Sequence, residues 1–328
     1  MRTQIAFLCL FVSASALAQQ PQWRAPRTAD GHPDLQGMWT SATITPLERP
    51  DEFGERRALT REEAARLEGA EASLVSNSAK PTDLQKQLPG DCKDFGRGCG
   101  YNNFWLDRGS QVVAIDGEKR TSLLIDPPNG KIPPLTAERQ QFMTARRQTF
   151  DGPEARPLGE RCLLAFGSAS GPPMLPVLYN NHYQIVQSKD AVMILVEMVH
   201  DARVVRLGGT HVASNVRKWM GDSVGRWEGE TLVVETTNFT DHESFRGATR
   251  DARVIERFTR VGPDKIHYRF TVEDPKAFTQ SFTGEMPFYR TADAIYEYAC
   301  HEGNYALRGI LAGAREQEKA QEKASAGR

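Results

Sequence analysis

Long apolar runs are missing from this chain. No segment approaches the ~18 uninterrupted apolar residues of a membrane-spanning helix, so no membrane span is expected. A charge of one sign is missing too: Lys and Arg number 41, Asp and Glu 42, for a formal net charge of −1. That balance lacks the basic excess of a nucleic-acid binder, and nucleic acid is not expected as a partner. Phosphate and dinucleotide loops of the G-x-x-x-x-G-K-[ST] and G-x-G-x-x-G kinds do not occur, nor does the G-x-S-x-G spacing of a nucleophile elbow around Ser168 and Ser170. The histidines form no H-x-H or H-E-x-x-H pattern, so neither a metal site nor a cofactor is expected.

Cysteine is scarce, five in 328 residues, and its placement is informative. Arg2, the apolar run Ile5–Val12 and Ala16-Leu17-Ala18 make a secretory signal cleaved after about Ala18. The mature chain is then periplasmic or secreted, and Cys9 leaves with the signal. Cys92, Cys99, Cys162 and Cys300 remain in an oxidising compartment, where pairing is the default. Four cysteines allow three connectivities. Cys92–Cys99, closing a small Gly-rich loop, and Cys162–Cys300 are the favoured set.

Hydrophobic residues at 39% and charged residues at 25% suit a globular chain with a core. Residues 19–100 read as an N-terminal arm. It holds the strand-like stretch Asp34–Trp39, whose Gly37-x-Trp39 is similar to the triplet opening lipocalin-like barrels. Its helix starts at the capping box Thr60-Arg61-Glu62-Glu63 and runs to about Leu74, with Ala64, Leu67 and Ala70 inward. Residues 101–315 read as a β-rich unit with a second helix at about 136–147, capped by Thr136.

Short apolar runs follow: Tyr183–Gln187, Ala191–Val199, Val204–Leu207, Thr231–Thr236, Arg253–Thr259, Ile266–Val272, Ser281–Phe288 and Ala294–Cys300. Turn signals separate them, among them Ser188-Lys189-Asp190 and Glu228-Gly229. This spacing predicts a mainly β fold, an antiparallel meander closing into a barrel or a strongly curved sheet. Trp219–Phe239 is its central hairpin. Asn304 caps a final helix, whose stripe of Leu307, Ile310, Leu311 and Ala314 docks on one face. A charged tail, 316–328, follows it.

Several strands carry a glutamate deep in an apolar run: Glu197, Glu235, Glu256 and Glu297. Each either points to solvent, meets one of the arginines at 203, 206, 253 and 257, or faces a wet cavity. Glu197 is the clearest site candidate because both faces of its strand are apolar. His200 in EMVHDAR and His301 after Cys300 stand at strand ends, as acid–base groups at a barrel mouth would. Asp107 and Arg108 follow the aromatic Trp105. The catalytic candidates are therefore Glu197, His200, His301 and Asp107. The ligand-binding candidates are Trp105, Arg108, Trp219, Asp222 and Arg203, although Asp222 also suits turn formation.

The segments GHPDLQGMW, YNNFWLDRG, GPPMLP, EMVHDAR, WMGDSVGRWEGETLVVETTNF and EYACHEGNYAL together resemble a family of secreted bacterial proteins carrying them in the same order. The resemblance implies an exported protein and brings no reaction, cofactor or catalytic residue with it. Three functions stay open: an acid–base enzyme of lyase, isomerase or hydrolase type acting on a small organic molecule, a lipocalin-like binding protein, and a cell-envelope interaction module. An enzyme predicts Glu197, His200 and His301 or Asp107 converging in one cleft. A binding protein predicts an apolar pocket with few titratable groups. An interaction module predicts a large apolar patch and no deep pocket.

Overall fold

In a closed ring of strands, direction must reverse an even number of times. A nine-strand ring therefore needs at least one parallel pair. The computed structural model, which describes residues 23–78, 106–146, 150–240 and 245–326, is such a ring. Its strands are β1 (Gly37–Thr40), β5 (His182–Gln187), β6 (Ala191–Val196), β7 (Ala202–Leu207), β8 (Asp222–Glu228), β9 (Thr231–Thr237), β10 (Arg253–Gly262), β11 (Lys265–Glu273) and β12 (Phe282–Arg290). They neighbour one another in that order, and β1 closes the barrel by pairing with both β5 and β12. The short β4 (Leu124–Asp126) adds to β12 outside the ring, and β2 (Ala114–Ile115) pairs with β3 (Glu118–Lys119). The fold is mainly β and barrel-forming, as the spacing predicts. The meander is broken once: β7 and β8 run parallel, joined by the crossover 208–221.

The β8–β9 hairpin turns at Gly229 with φ 60, the left-handed conformation that favours glycine. Following the register around the ring places one side chain in two inside. Trp39, Tyr183, Phe258, Tyr268, Phe270 and Phe288 all lie there, each almost wholly buried. Tyr268 stacks on Phe288 at 4.9 Å between ring centres, and Tyr183 on Phe288 at 5.3 Å. Gly284 faces Phe270 across the β11–β12 pair, and a Cβ there would fall inside the ring's van der Waals surface. The lumen is a packed core.

One end of the barrel is sealed by the N-terminal arm. Trp39 donates its indole N–H to the Leu35 carbonyl at 2.9 Å, between the guanidinium groups of Arg260 and Arg290. His32 stacks on Trp227, and Arg260 donates to the Asp34 carbonyl at 2.7 Å. The opposite end carries the connections 172–182, 197–201 and 238–252.

The capping box forms as its residues require: Glu63 N–H donates to Thr60 Oγ1 at 3.1 Å, and Thr60 N–H to Glu63 Oε2 at 2.8 Å. It opens α1 (Arg61–Ser78). Ala64 and Leu67 face inward against Leu59 and Val112. Ala70 does not. The helix instead turns Glu68 and Glu71 toward the chain, where they take Lys119 and Arg108. Thr136 caps α2 (Ala137–Arg146), its hydroxyl accepting the Arg139 N–H at 3.2 Å.

Two expectations at the C-terminal side are corrected. Ala294–Cys300 is not a strand; it crosses the barrel end as an irregular strap. The helix α3 (Tyr305–Ala326) continues through most of the charged stretch read as a tail, with pairs such as Lys319–Glu316 at 2.8 Å. Asn304 caps it, and Leu307, Ile310, Leu311 and Ala314 make its half-buried stripe. Cys162 and Cys300 are disulfide-bonded. Cys92 and Cys99 lie outside the described residues, as do the signal segment and Trp105. Among the described residues no helix is long and apolar enough to cross a membrane.

Candidate functional site

The open end of the barrel is stoppered by the segment around Gly171-Pro172-Pro173-Met174. Ser168 and Gly171 take positive φ, 72 and 69, and Ser168 Oγ donates to the Pro173 carbonyl at 2.6 Å, so the segment folds back on itself. Met174 is thereby driven into the lumen, fully buried. Two barrel tyrosines hold this stopper. Tyr183 donates to the Ala169 carbonyl at 3.1 Å, and Tyr268 accepts the Met174 N–H at 2.9 Å. Burial pushes the Tyr183 hydroxyl up to about 12, and burial followed by the Glu256 carboxylate raises Tyr268 well above the ordinary phenol range. Both hydroxyls keep their protons, so the stopper stays latched across neutral pH.

Beside the stopper lies a pocket of about 670 Å³. Its floor is barrel core: Ala252, Val254, Val272 and Phe239. One wall is the inner face of α2, with Arg139, Gln140 and Met143. Another is the segment 155–172, with Leu158 and Phe166, and the rim carries Trp219, Phe245 and Arg246. Among the described lining residues none is Asp, Glu, His, Lys, Cys or Tyr. The volume suits one small organic molecule, and the walls are mainly apolar.

A second cluster sits at the same end, where β5 begins and β6 stops. Glu197 is buried, and its Oε2 lies 2.7 Å from His182 Nδ1. Its other oxygen accepts the Tyr296 N–H of the strap at 3.4 Å. His182 Nε2 faces Asp293, a strap residue, at 3.7 Å. The hydrogen bond to Glu197 raises the His182 pKa, burial opposes it, and the charges of Glu197, Asp107 and Asp293 add to the rise. For Glu197 burial acts upward, but the His182 bond and charge and two backbone N–H groups prevail, and its pKa falls.

These directions set a pH window. His182, raised above 6.5, gives stability that is complete below 6.5 and lost as pH climbs through its folded value. Glu197, lowered below 4.5, gives stability that is complete above 4.5 and lost as pH falls through its folded value. The pair therefore stabilises most between pH 4.5 and 6.5. His182→Gln should lower unfolding free energy at about pH 5.5 by roughly 1.5–3 kcal/mol, with a smaller loss at pH 8. Urea titrations across pH read this. An equal loss at both pH values would show that the charge of His182 is not involved.

The structure separates most of the candidates named from sequence. Trp219 lines the pocket. Glu197 is in the His182 cluster, and Asp107 acts on it only through its charge, its carbonyl accepting from Asn181 at 2.6 Å. His200 and His301 are exposed, and His200 meets Glu197 through the backbone alone, N–H to carbonyl at 3.2 Å. Arg108 pairs with Glu71 at 2.7 Å. Arg203 lies inside the lumen, bound to Glu256. Asp222 is buried under the crossover, accepting from Lys218, Arg206 and the Val212 N–H. Burial raises its pKa, but Lys218, the Val212 N–H and His211 outweigh it and bring it to about 2. Glu235 pairs with Arg253, and Glu297 is exposed.

His182, Arg139 and Arg246 are residues that sequence reasoning did not single out for these sites. For His182 a signal existed. The turn at Ser188-Lys189-Asp190 pairs Gln187 with Val192, and counting outward gives Tyr183 with Val196, then His182 beside Glu197. No such signal exists for the pocket arginines, because contacts between α2 and residues a hundred positions away build it. No family model matches the chain, and no curated protein matches it either.

Proposed function

We propose that this is an exported binding protein that takes one small organic molecule in the pocket at the stoppered end of its barrel. The carrying observation is the pocket's composition: about 670 Å³, walled by Met143, Leu158, Phe166, Trp219 and Phe245, with no acid–base side chain among its described lining residues. An acid–base enzyme requires titratable groups to converge where the ligand sits, and Glu197, His200 and His301 do not line this pocket. A purely surface-acting envelope module has no use for such a cavity. The signal-like N-terminus and the Cys162–Cys300 bond support export.

The test is a thermal-shift screen of the mature protein against metals, sugars, aromatic compounds and lipid-like compounds. A ligand present at about 100 times its Kd adds roughly 2.7 kcal/mol to stability. Aromatic or lipid-like compounds should raise the Tm. Met143→Trp, which fills the pocket from the half-exposed face of α2, should abolish that rise and leave the unliganded Tm nearly unchanged. Stabilisation by none of the apolar compounds, or shifts that survive Met143→Trp, would remove the pocket from consideration.

A further inference from the structure

Resting on that pocket reading, we infer that the ligand is an anion: an apolar body with a carboxylate or similar acidic head, received by Arg246. Three arginines from three separate elements line the pocket, and no carboxylate does so among the described residues. Their situations differ. Arg156 is matched by Glu160, with Nε to Oε2 at 2.8 Å and NH2 to Oε1 at 3.0 Å. Arg139 is fixed to the wall by donating Nε to the Gly247 carbonyl at 2.6 Å and NH2 to the Ala248 carbonyl at 2.9 Å. Arg246 is exposed and makes no side-chain hydrogen bond or ion pair among the described residues.

The backbone of Arg246 sharpens the case. Its φ is 55 and ψ 28, the left-handed region that disfavours every residue with a side chain, and Gly247 follows at φ 97. Glycine would hold Arg246's conformation without strain. Among the described residues the Arg246 side chain gains no hydrogen bond or ion pair that offsets the strain, whereas a bound anion would supply a partner. A planar guanidinium grips a carboxylate through two parallel N–H donors, and the same guanidinium would repel an amine of the same shape.

The experiment uses the mature protein and matched probes: decanoate against decan-1-ol and decylamine, and 2-naphthoate against 2-naphthol. Calorimetric titration should show the carboxylate binding about tenfold or more tightly than its alcohol, with the amine weakest. In Arg246→Gln and Arg246→Gly the carboxylate-to-alcohol ratio should fall toward one, and Arg246→Lys should keep part of it. Arg246→Gly should melt no lower than the wild type, separating loss of the guanidinium from loss of fold. Equal affinities within the pairs, or a ratio that survives Arg246→Gln, would overturn the anion inference while leaving the pocket reading intact. Binding of none of the probes would overturn the pocket reading and the anion inference with it.

Discussion

Glu256→Ala is expected to destabilise the barrel by about 3–5 kcal/mol, the loss that follows when one partner of a buried ion pair is removed. Glu256 is inaccessible to solvent and Arg203 nearly so. Arg203 holds both carboxylate oxygens, NH1 to Oε2 and NH2 to Oε1, and Tyr268 donates to Oε1 at 2.8 Å. Truncating Glu256 strands a guanidinium among aromatic rings, with its Nε already lacking a partner. The carboxylate, its charge and a tyrosine acceptor vanish together. Arg203→Met combined with Glu256→Leu removes both charges and should recover most of the loss. The remaining deficit, about 1–3 kcal/mol, is the unsatisfied Tyr268 hydroxyl. Urea unfolding of the single and double variants decides it. A loss below about 1 kcal/mol for Glu256→Ala would mean that water reaches the pair.

This pair shows how far the sequence could be read. Glu256 and Glu235 stand out as charges inside apolar strands, and the arginines that meet them are among the few available on neighbouring strands. The strand spacing is legible for the same local reason, because turn residues and period-two patterning act over a handful of positions. Closure of the ring is not local. β1 enters between β5, about 140 residues on, and β12, about 250 residues on, and no pattern within a window records that. Closure also explains the strap. Ile295, Tyr296 and Tyr298 give the segment the composition of a strand, but β12 already pairs with β11 on one side and with β1 and β4 on the other. Neither side of β12 is therefore free to take 294–300, the segment that follows it. The full length of α3 is hard to read because a solvated helix and a solvated tail share one composition, and only pairs such as Arg315–Glu318 distinguish them. The pocket was the least legible feature. Its polar residues are ordinary surface types until the fold assembles them.

Replacing both Cys162 and Cys300 with alanine should lower global stability by about 5 kcal/mol if the constraint on the unfolded chain governs, given a sequence separation of 138. The loss should not fall evenly over the native protein. Apart from the disulfide, the described contacts that tie down the strap and α3 are mostly hydrogen bonds, with Tyr298 stacked on Tyr179. Asn304 donates to the Glu160 carbonyl at 2.8 Å, Arg315 to the Phe150 and Asp151 carbonyls at 2.9 and 3.0 Å, and Tyr296 to Glu197. With the covalent tie gone, residues 291–326 should exchange amide hydrogens faster than the strands β8–β12, whose protection rests on the packed lumen. The disulfide and the His182–Glu197 cluster are coupled through this strap. It supplies Asp293 and the Tyr296 N–H to the His182–Glu197 cluster and contributes to its burial, so detaching it should weaken the stabilisation seen between pH 4.5 and 6.5. Urea titration at several pH values and hydrogen exchange on the double variant test both statements. A change below about 1 kcal/mol, with the strap still protected, would show that non-covalent packing alone holds the C-terminal segment in place.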